Sequence, residues 1–241
     1  EFRRVLFRSE TRPCLGFLPG GTANVATRAF RFIPEPTRLA RALPGMRGRP
    51  VDVGMVRMGG DERPFLLWCG AGLDAVVIDE LNSSRTGHMG MTGLVINAPR
   101  VLSAIARYSR PGIRVEVDEE ELPPVVSVVL TNVADMAFGG TVHPDATPFD
   151  GEVDVVMLER AGTLATLAYG ARMLFSSLTA SPGVSHRPGR RVVLRAGEHV
   201  PVQVDGEPVG HLPLDARMMR GAVRLLIADP GVCVGPEVAP G

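Results

Sequence analysis

The chain has 241 residues, 45% of them hydrophobic and 22% charged, with 26 basic and 26 acidic side chains and a formal net charge of +0. That length allows one large domain or two modest ones, each with its own core. The charge balance argues against a nucleic-acid binder, and no run approaches the roughly eighteen apolar residues of a membrane-spanning helix.

Residues Glu1 to Ser9 resemble the translation of a common sequencing-adapter oligonucleotide and are set aside as artefactual. Without them 23 basic residues face 25 acidic ones, a net charge of about −2. The genuine start is then expected further upstream. Cys14, Cys69 and Cys233 are odd in number, widely spaced and free of any Cys-x-x-Cys pair. They read as reduced cytosolic thiols, not as a disulfide frame or zinc site. The histidines, 143, 186, 199, 211 and 88, stand singly and without ligand spacing, and so read as surface or loop residues.

In chain order, Pro13 to Phe30 reads as a short buried strand, a glycine turn holding Gly20, Gly21, Thr22 and Asn24, and a helix. That order aims backbone N–H groups and a helix dipole at whatever lies above the turn, which suits phosphate. It is not a Walker A loop, because every basic residue of the chain is Arg and no Lys follows the glycines. An ordinary strand-to-helix turn reads the same way. A helix from Thr37 to Leu43, capped by Thr37, a strand at Val51–Val56 and a hairpin at Gly59–Glu62 come next. A strand from Pro64 to Cys69 leads to the glycine-lined turn Gly70–Ala75, which opens a helix toward Leu81. Asn82 to Gly93 reads as a mobile loop. The stripe Leu94, Ala98, Val101, Leu102, Ile105 and Tyr108 predicts a helix that Pro99 kinks or delays. Strands are predicted at 113–118, 125–132 and 153–159, a helix at 163–178, then strands at 191–195, 200–205 and 222–228.

Two separate segments carry Asp-Gly-Glu, at 150–152 and 205–207. Each makes a good β-turn, since Asp-Gly supplies positive φ, and each can still present a carboxylate. The words around them match a family. Leu18-Pro-Gly-Gly-Thr-Ala-Asn24, Val51-Asp-Val-Gly54, Gly70-Ala-Gly-Leu-Asp-Ala75, Gly139 to Ala146 with Asp150 to Asp154, and Val202-Gln-Val-Asp-Gly-Glu207 run in one order over nearly all of residues 13–230. In these motifs the chain resembles the bacterial diacylglycerol kinase and sphingosine kinase-like lipid kinases, of the NAD kinase-like superfamily.

The resemblance implies an α/β plus all-β fold. A partial Rossmann-like nucleotide-binding unit (residues 10–54) would precede a β-sandwich domain with two helices (55–228), with a loose tail at 229–241. The last strand would return to the first unit. It also implies ATP- and Mg²⁺-dependent phosphorylation of a lipid hydroxyl. Asp205 would accept the alcohol proton, and Glu207, on the same side of an extended strand, would order the site. Gly20, Gly21, Thr22 and Asn24 would serve the nucleotide. Asp52 would hold Mg²⁺ through water or touch substrate. Asp150, with the carbonyls of Thr147 and Glu152, would hold a structural Mg²⁺.

Two departures stand out. Val25 occupies a position that is acidic in many members, and the family's Gly-Gly-Asp-Gly-Thr motif is absent from the chain. The chain by itself is therefore expected to be inactive or nearly so. A cytoplasmic protein docking weakly and transiently on membranes follows, with no nucleic-acid partner and a homodimer compatible with it. The segment 82–93 and its following helix are a candidate lid or docking element, with a core-facing helix behind a disordered loop as the favoured alternative. A soluble-substrate kinase related to NAD kinases and a non-catalytic lipid-binding module are the competing readings.

Overall fold

The computed structural model describes residues 14–17, 24–32, 35–83, 91–108, 112–136, 139–160, 162–197 and 199–227. The expected glycine turn at Gly20, Gly21 and Thr22, much of the 82–93 loop and the tail after 227 lie outside the described residues. The elements in order are β1 (Cys14–Leu15), α1 (Val25–Ala29), α2 (Pro36–Ala42), β2 (Arg47–Met58), β3 (Asp61–Phe65), β4 (Trp68–Ala71), α3 (Leu73–Ser83) and α4 (Met91–Arg107). They continue with β5 (Ile113–Val117), β6 (Glu120–Val125), β7 (Ser127–Thr131), β8 (Val153–Leu158) and α5 (Thr163–Leu174). The chain closes through β9 (Val184–Gly189), β10 (Arg191–Arg195), β11 (Pro201–Val204), β12 (Glu207–His211) and β13 (Leu214–Ile227).

Two antiparallel sheets face each other. One runs β3-β2-β13-β10-β5-β6, with β1 added parallel to β13; the other runs β12-β11-β4-β7-β8-β9. Period-two alternation builds the layer between them: Ile113, Val115 and Val117 from the first sheet meet Val128, Leu130, Val155, Val202 and Val204 from the second. On the far side of β5, Arg114 and Glu116 face water, and Glu116 pairs with Arg195 at 3.1 Å. The central strands of the second sheet, β11, β4, β7 and β8, are buried on both faces. Its outer side chains, Trp68, Val129, Val156 and Leu158, form another apolar cluster with Val25 and with Tyr169 of α5.

Several boundaries differ from the sequence reading, each for a local reason. The cap of α2 is Glu35, whose carboxylate accepts N–H bonds from Thr37 and Arg38, with Pro36 filling the first turn. The stretch read as one strand from Pro64 to Cys69 is two, because the chain changes sheets at Leu66–Leu67. Helix α4 continues through Pro99. Strands β6, β9 and β12 escaped the pattern because they are sheet edges, where Pro123, Pro124, Pro188 and Pro208 replace alternation.

The histidines need a correction. His143 and His186 stack with ring centroids 4.0 Å apart, and both face Asp154. Burial, then the neighbouring His186, pushes the His143 ring below the ordinary histidine range, against the pull of Asp154 and Asp145. Residues 43 positions apart in sequence meet because β8–β9 register brings His186 to Asp154 and the 141–146 segment brings His143 to both, which spacing along the chain does not reveal. Cys14 and Cys69 are free thiols; burial, followed by Asp74 and Asp205, pushes the Cys69 thiol far up.

Candidate active site

Asp205 sits at the tip of the β11–β12 hairpin, with φ of 48° there and 88° at Gly206. These are the two positive angles of a tight two-residue turn, and Asp-Gly is the pair that adopts them most readily. Asp205 and Glu207 are therefore not consecutive same-side residues of an extended strand. Glu207 opens β12 opposite Val204, and both acids are exposed.

The Asp205 carboxyl turns back onto the sheet-switching segment. Its Oδ2 accepts the Leu66 N–H at 2.8 Å, and its Oδ1 accepts those of Leu67 at 2.9 Å and Trp68 at 3.0 Å. Desolvation by the surrounding protein pushes the carboxyl above the ordinary Asp range, against these three bonds, which favour the anion. Oδ2, with one donor against two on Oδ1, is the oxygen with room for a proton.

A second network extends from the same segment to Asp52. Asn132 Nδ2 donates to the carbonyls of Leu66 and Asp52, at 2.9 and 3.0 Å. The Asp52 side chain, 2% exposed, accepts the N–H of Gly151 on one oxygen and of Gly221 on the other, both at 2.6 Å. Gly221 lies in the β13 irregularity between Met219 and Val223. Asp52 thus ties the Asp150–Glu152 turn to β13. Asp150 is exposed, and its Oδ1 accepts the Glu152 N–H at 3.0 Å. The Thr147–Phe149 stretch is held against β2 by the bond from Asp52 N to Pro148 O at 2.9 Å, and Arg49 lies over the Phe149 ring at 4.4 Å. Asn24 begins α1 with φ of 45°, and Val25 beside it shares the cluster that holds Trp68. The structure therefore brings Asp205, Asp52 and the Asp150 turn into one bonded network, with the start of α1 bordering it through Trp68.

Sequence reasoning missed the feature that lies beneath. A largely apolar cavity of about 400 Å³ opens between the outer face of the second sheet and helices α3 and α5. Val129, Val156, Tyr169 and Met173 are among its walls, together with Trp68 and Asp74. Asp74 is half-buried and lines this cavity; desolvation pushes its carboxyl up to about 6, against the Gln203 hydrogen bond. Gln203 is fully buried and acts twice: Nε2 donates to Asp74 Oδ2 at 2.5 Å, while Oε1 accepts the Gly206 N–H at 2.8 Å. One side chain thus joins the cavity to the Asp205 turn. The buried Trp68 Nε1 has no hydrogen-bond partner among the described residues. The clues were present in Gly70–Ala75 and Val202–Glu207, but nothing in one dimension says that Asp74 and Gln203 touch.

Asp74 carries a pH prediction. Its folded pKa is raised, so the folded state holds more protons than the unfolded state between the ordinary Asp value and about 6. Stability contributed by this group is present at low pH and is lost as pH rises through that window. Asp74→Asn should flatten that decline and gain about 1–2 kcal/mol at pH 8, read by urea titration at pH 4.5 and pH 8. An unchanged pH profile in the variant would contradict the assignment.

A β-sandwich with an apolar cavity on one outer face and a carboxylate turn at its edge is the class of fold these features define. The sequence matches the YegS C-terminal NAD kinase beta sandwich-like domain over residues 68–227. The chain belongs to that family, and with it to the diacylglycerol kinase-like proteins. A Staphylococcus aureus (strain Newman) protein named "Putative lipid kinase" is 21% identical over 219 residues, 89% of this chain and 69% of that protein. A solved diacylglycerol kinase structure from Bacillus anthracis str. Sterne superposes with a TM-score of 0.65 at 19% identity, covering 93% of this chain and 70% of the other. A second structure from the same strain, a "putative diacylglycerol kinase", gives a TM-score of 0.70 at 20% identity, covering 93% and 71%. At such identities the structures show a shared fold. The expected combination of α/β and β-sandwich parts agrees with them.

Proposed function

We propose that this protein is a lipid kinase that takes an acyl chain into the α3–α5 cavity and phosphorylates a hydroxyl group held at the Asp205 turn. The observation that carries the reading is the Gln203 bridge, which sets the polar end of an apolar cavity beside a carboxylate suited to accept a proton. The cavity volume lies in the range of small-ligand sites, and each methylene buried there is worth about 0.8 kcal/mol. ATP would supply the phosphoryl group, and Mg²⁺ would neutralise its charge.

The chain's own residues position the acceptor. Main-chain N–H groups of Leu66, Leu67 and Trp68 fix the Asp205 carboxylate, leaving Oδ2 to take the hydroxyl proton. Asp74 would orient the lipid's polar atoms while the apolar walls exclude water. Asp150 with the Thr147 and Glu152 carbonyls would hold a structural Mg²⁺. Asp52, both of whose oxygens already accept N–H bonds, would reach Mg²⁺ only through a water on its remaining lone pairs. Asn24 and the glycines before it would meet the nucleotide. Leu164, Leu167, Leu174 and Phe175 of the α5 region are exposed, as is Ile96 of α4, and would rest on the lipid surface beside the cavity. Among the described residues no helix is long and apolar enough to cross a membrane.

The test is phosphorylation from radiolabelled ATP with Mg²⁺, offering diacylglycerol or sphingosine in mixed micelles and NAD in solution. Labelled lipid supports the reading, and labelled NAD product would replace it with a soluble-substrate kinase. The chain carries no Gly-Gly-Asp-Gly-Thr element, so its turnover is expected to be low, and lipid binding is the more sensitive readout. Gly170 on α5 lines the cavity, and a Cβ added there meets nothing within 4 Å. Gly170→Phe should fold at least as well as the parent, since glycine is a poor helix former. It should displace three or four methylenes, worth about 2–3 kcal/mol, and so weaken binding of a fluorescent diacylglycerol roughly 50- to 100-fold. Unchanged affinity would remove the cavity from the proposal.

A further inference from the structure

We propose that His143, Asp154 and His186 form a site for a zinc-class divalent transition-metal ion. The three side chains offer one ligand atom each, all within 4.8 Å of one another. Asp154 Oδ1 lies 2.7 Å from His186 Nε2 and 3.8 Å from His143 Nε2. Register makes the pairing on the sheet: Asp154 opposes Pro188 and His186 opposes Val156, so Asp154 and His186 are diagonal neighbours on one face of β8–β9. His143 comes from the 141–146 segment, anchored by the bonds from Val142 N to Ala134 O and from Ala146 N to His143 O.

The cluster is shielded. Side-chain exposure is 13% for His143, 15% for Asp154 and 25% for His186. In the protein alone two imidazoles converge on a single carboxylate oxygen, while the buried His143 Nδ1 has no hydrogen-bond partner among the described residues. A cation seated between them replaces that crowding with coordination. Two imidazoles and one carboxylate are borderline donors that favour Zn²⁺ and its neighbours over Mg²⁺ or Ca²⁺. Ligand bonds of about 2.0–2.2 Å set tetrahedral donor atoms roughly 3.4 Å apart, so the Asp154–His186 pair must open slightly while the wider separations close, adjustments within the reach of side-chain rotation. Three protein ligands leave a fourth position for water.

This site is separate from the Asp150 turn. It lies on the outer face of the second sheet, in the cross-strand row that runs from Asp154 through Thr131 to Trp68. The row continues to the Asp205 turn, three strand spacings or about 14 Å from Asp154. A bound ion would pin the 141–146 segment to β8 and β9 at the far end of the row that carries the proton acceptor.

The experiment titrates metal-stripped full chain with Co²⁺ and then Zn²⁺. One equivalent of Co²⁺ should develop the visible bands of a four-coordinate site, Zn²⁺ should bleach them, and excess Mg²⁺ should not. Loss of a second-shell partner commonly costs 10- to 100-fold in metal affinity, so His143→Ala and His186→Ala should each cost more than about 100-fold. Asp154→Asn should also weaken binding. His211→Ala, which alters the separate His199–His211 ring pair, should leave the site intact. Should a ligand variant fail to fold, protection of His143 and His186 from diethylpyrocarbonate by Zn²⁺ in the parent chain gives the same answer. Absence of the Co²⁺ bands in the folded parent would overturn the proposal. So would binding that survives loss of both His143 and His186, or that disappears with His211.

Discussion

Asp52→Ala is expected to destabilise the protein by about 3–5 kcal/mol. The carboxylate is 2% exposed, and its removal orphans the N–H groups of Gly151 and Gly221. Hydrogen bonds to a charged acceptor contribute about 1.5–3 kcal/mol each, and no water takes their place without a cavity to hold it. Asp52→Asn keeps one acceptor oxygen and sets an NH₂ against the other donor, so about half the loss should return. For a chain of this size the alanine variant should melt roughly 10 °C lower. Urea unfolding of the parent and both variants measures the series. Losses below about 1 kcal/mol in both would mean that the two backbone segments hold their places without the carboxylate.

On the proposed reading, Asp205→Asn in a longer protein that carries the Gly-Gly-Asp-Gly-Thr element should lower lipid phosphorylation about 10²- to 10⁴-fold, the usual contribution of a positioned general base. The amide cannot take the hydroxyl proton, yet it fills the same space at the turn. It also sets an NH₂ against one of the three main-chain donors, so a modest loss of stability, about 1–2 kcal/mol, should accompany the change. The two effects separate by measurement. Diacylglycerol binding and KM should stay near the parent values, while kcat falls. A variant that keeps kcat and loses only stability would make Asp205 a tether of the sheet-switching segment, and Glu207 would then be the first acid to examine.

The alternating apolar stretches that build the layer between the sheets were readable in the sequence. Strands β2, β5, β7, β8, β10 and β11 and helices α3, α4 and α5 follow from their periodicity. Strands β6, β9 and β12 escaped at sheet edges, where proline and charge protect exposed backbone and erase the pattern, and the first half of β13, residues 214–221, escaped although it is central. The Asp-Gly turns were legible too, because few pairs accept positive φ so readily. Asp74, Gln203, Asn132 and the His143–Asp154–His186 cluster were not. Each gains its meaning from a partner more than 30 positions away, delivered by the tertiary fold. Asp205 shows the limit from the other side: its residue type and turn were evident, but its orientation toward Leu66–Trp68 depends on where the chain changes sheets.

The pairing of β2 with β13 has a broader consequence. The two strands run together from Arg47–Ile227 to Arg57–Asp215, interrupted at the irregularity between Met219 and Val223, so one ribbon joins the Phe30 and Phe32 cluster to the interior between the sheets. Among the described residues, Phe30 and Phe32, just after α1, share a core cluster with Val51, Val53, Val223 and Leu225 of that ribbon. Heat or denaturant therefore meets one cooperative body, and local fraying near α1 is restrained by strands whose other halves are locked deep inside.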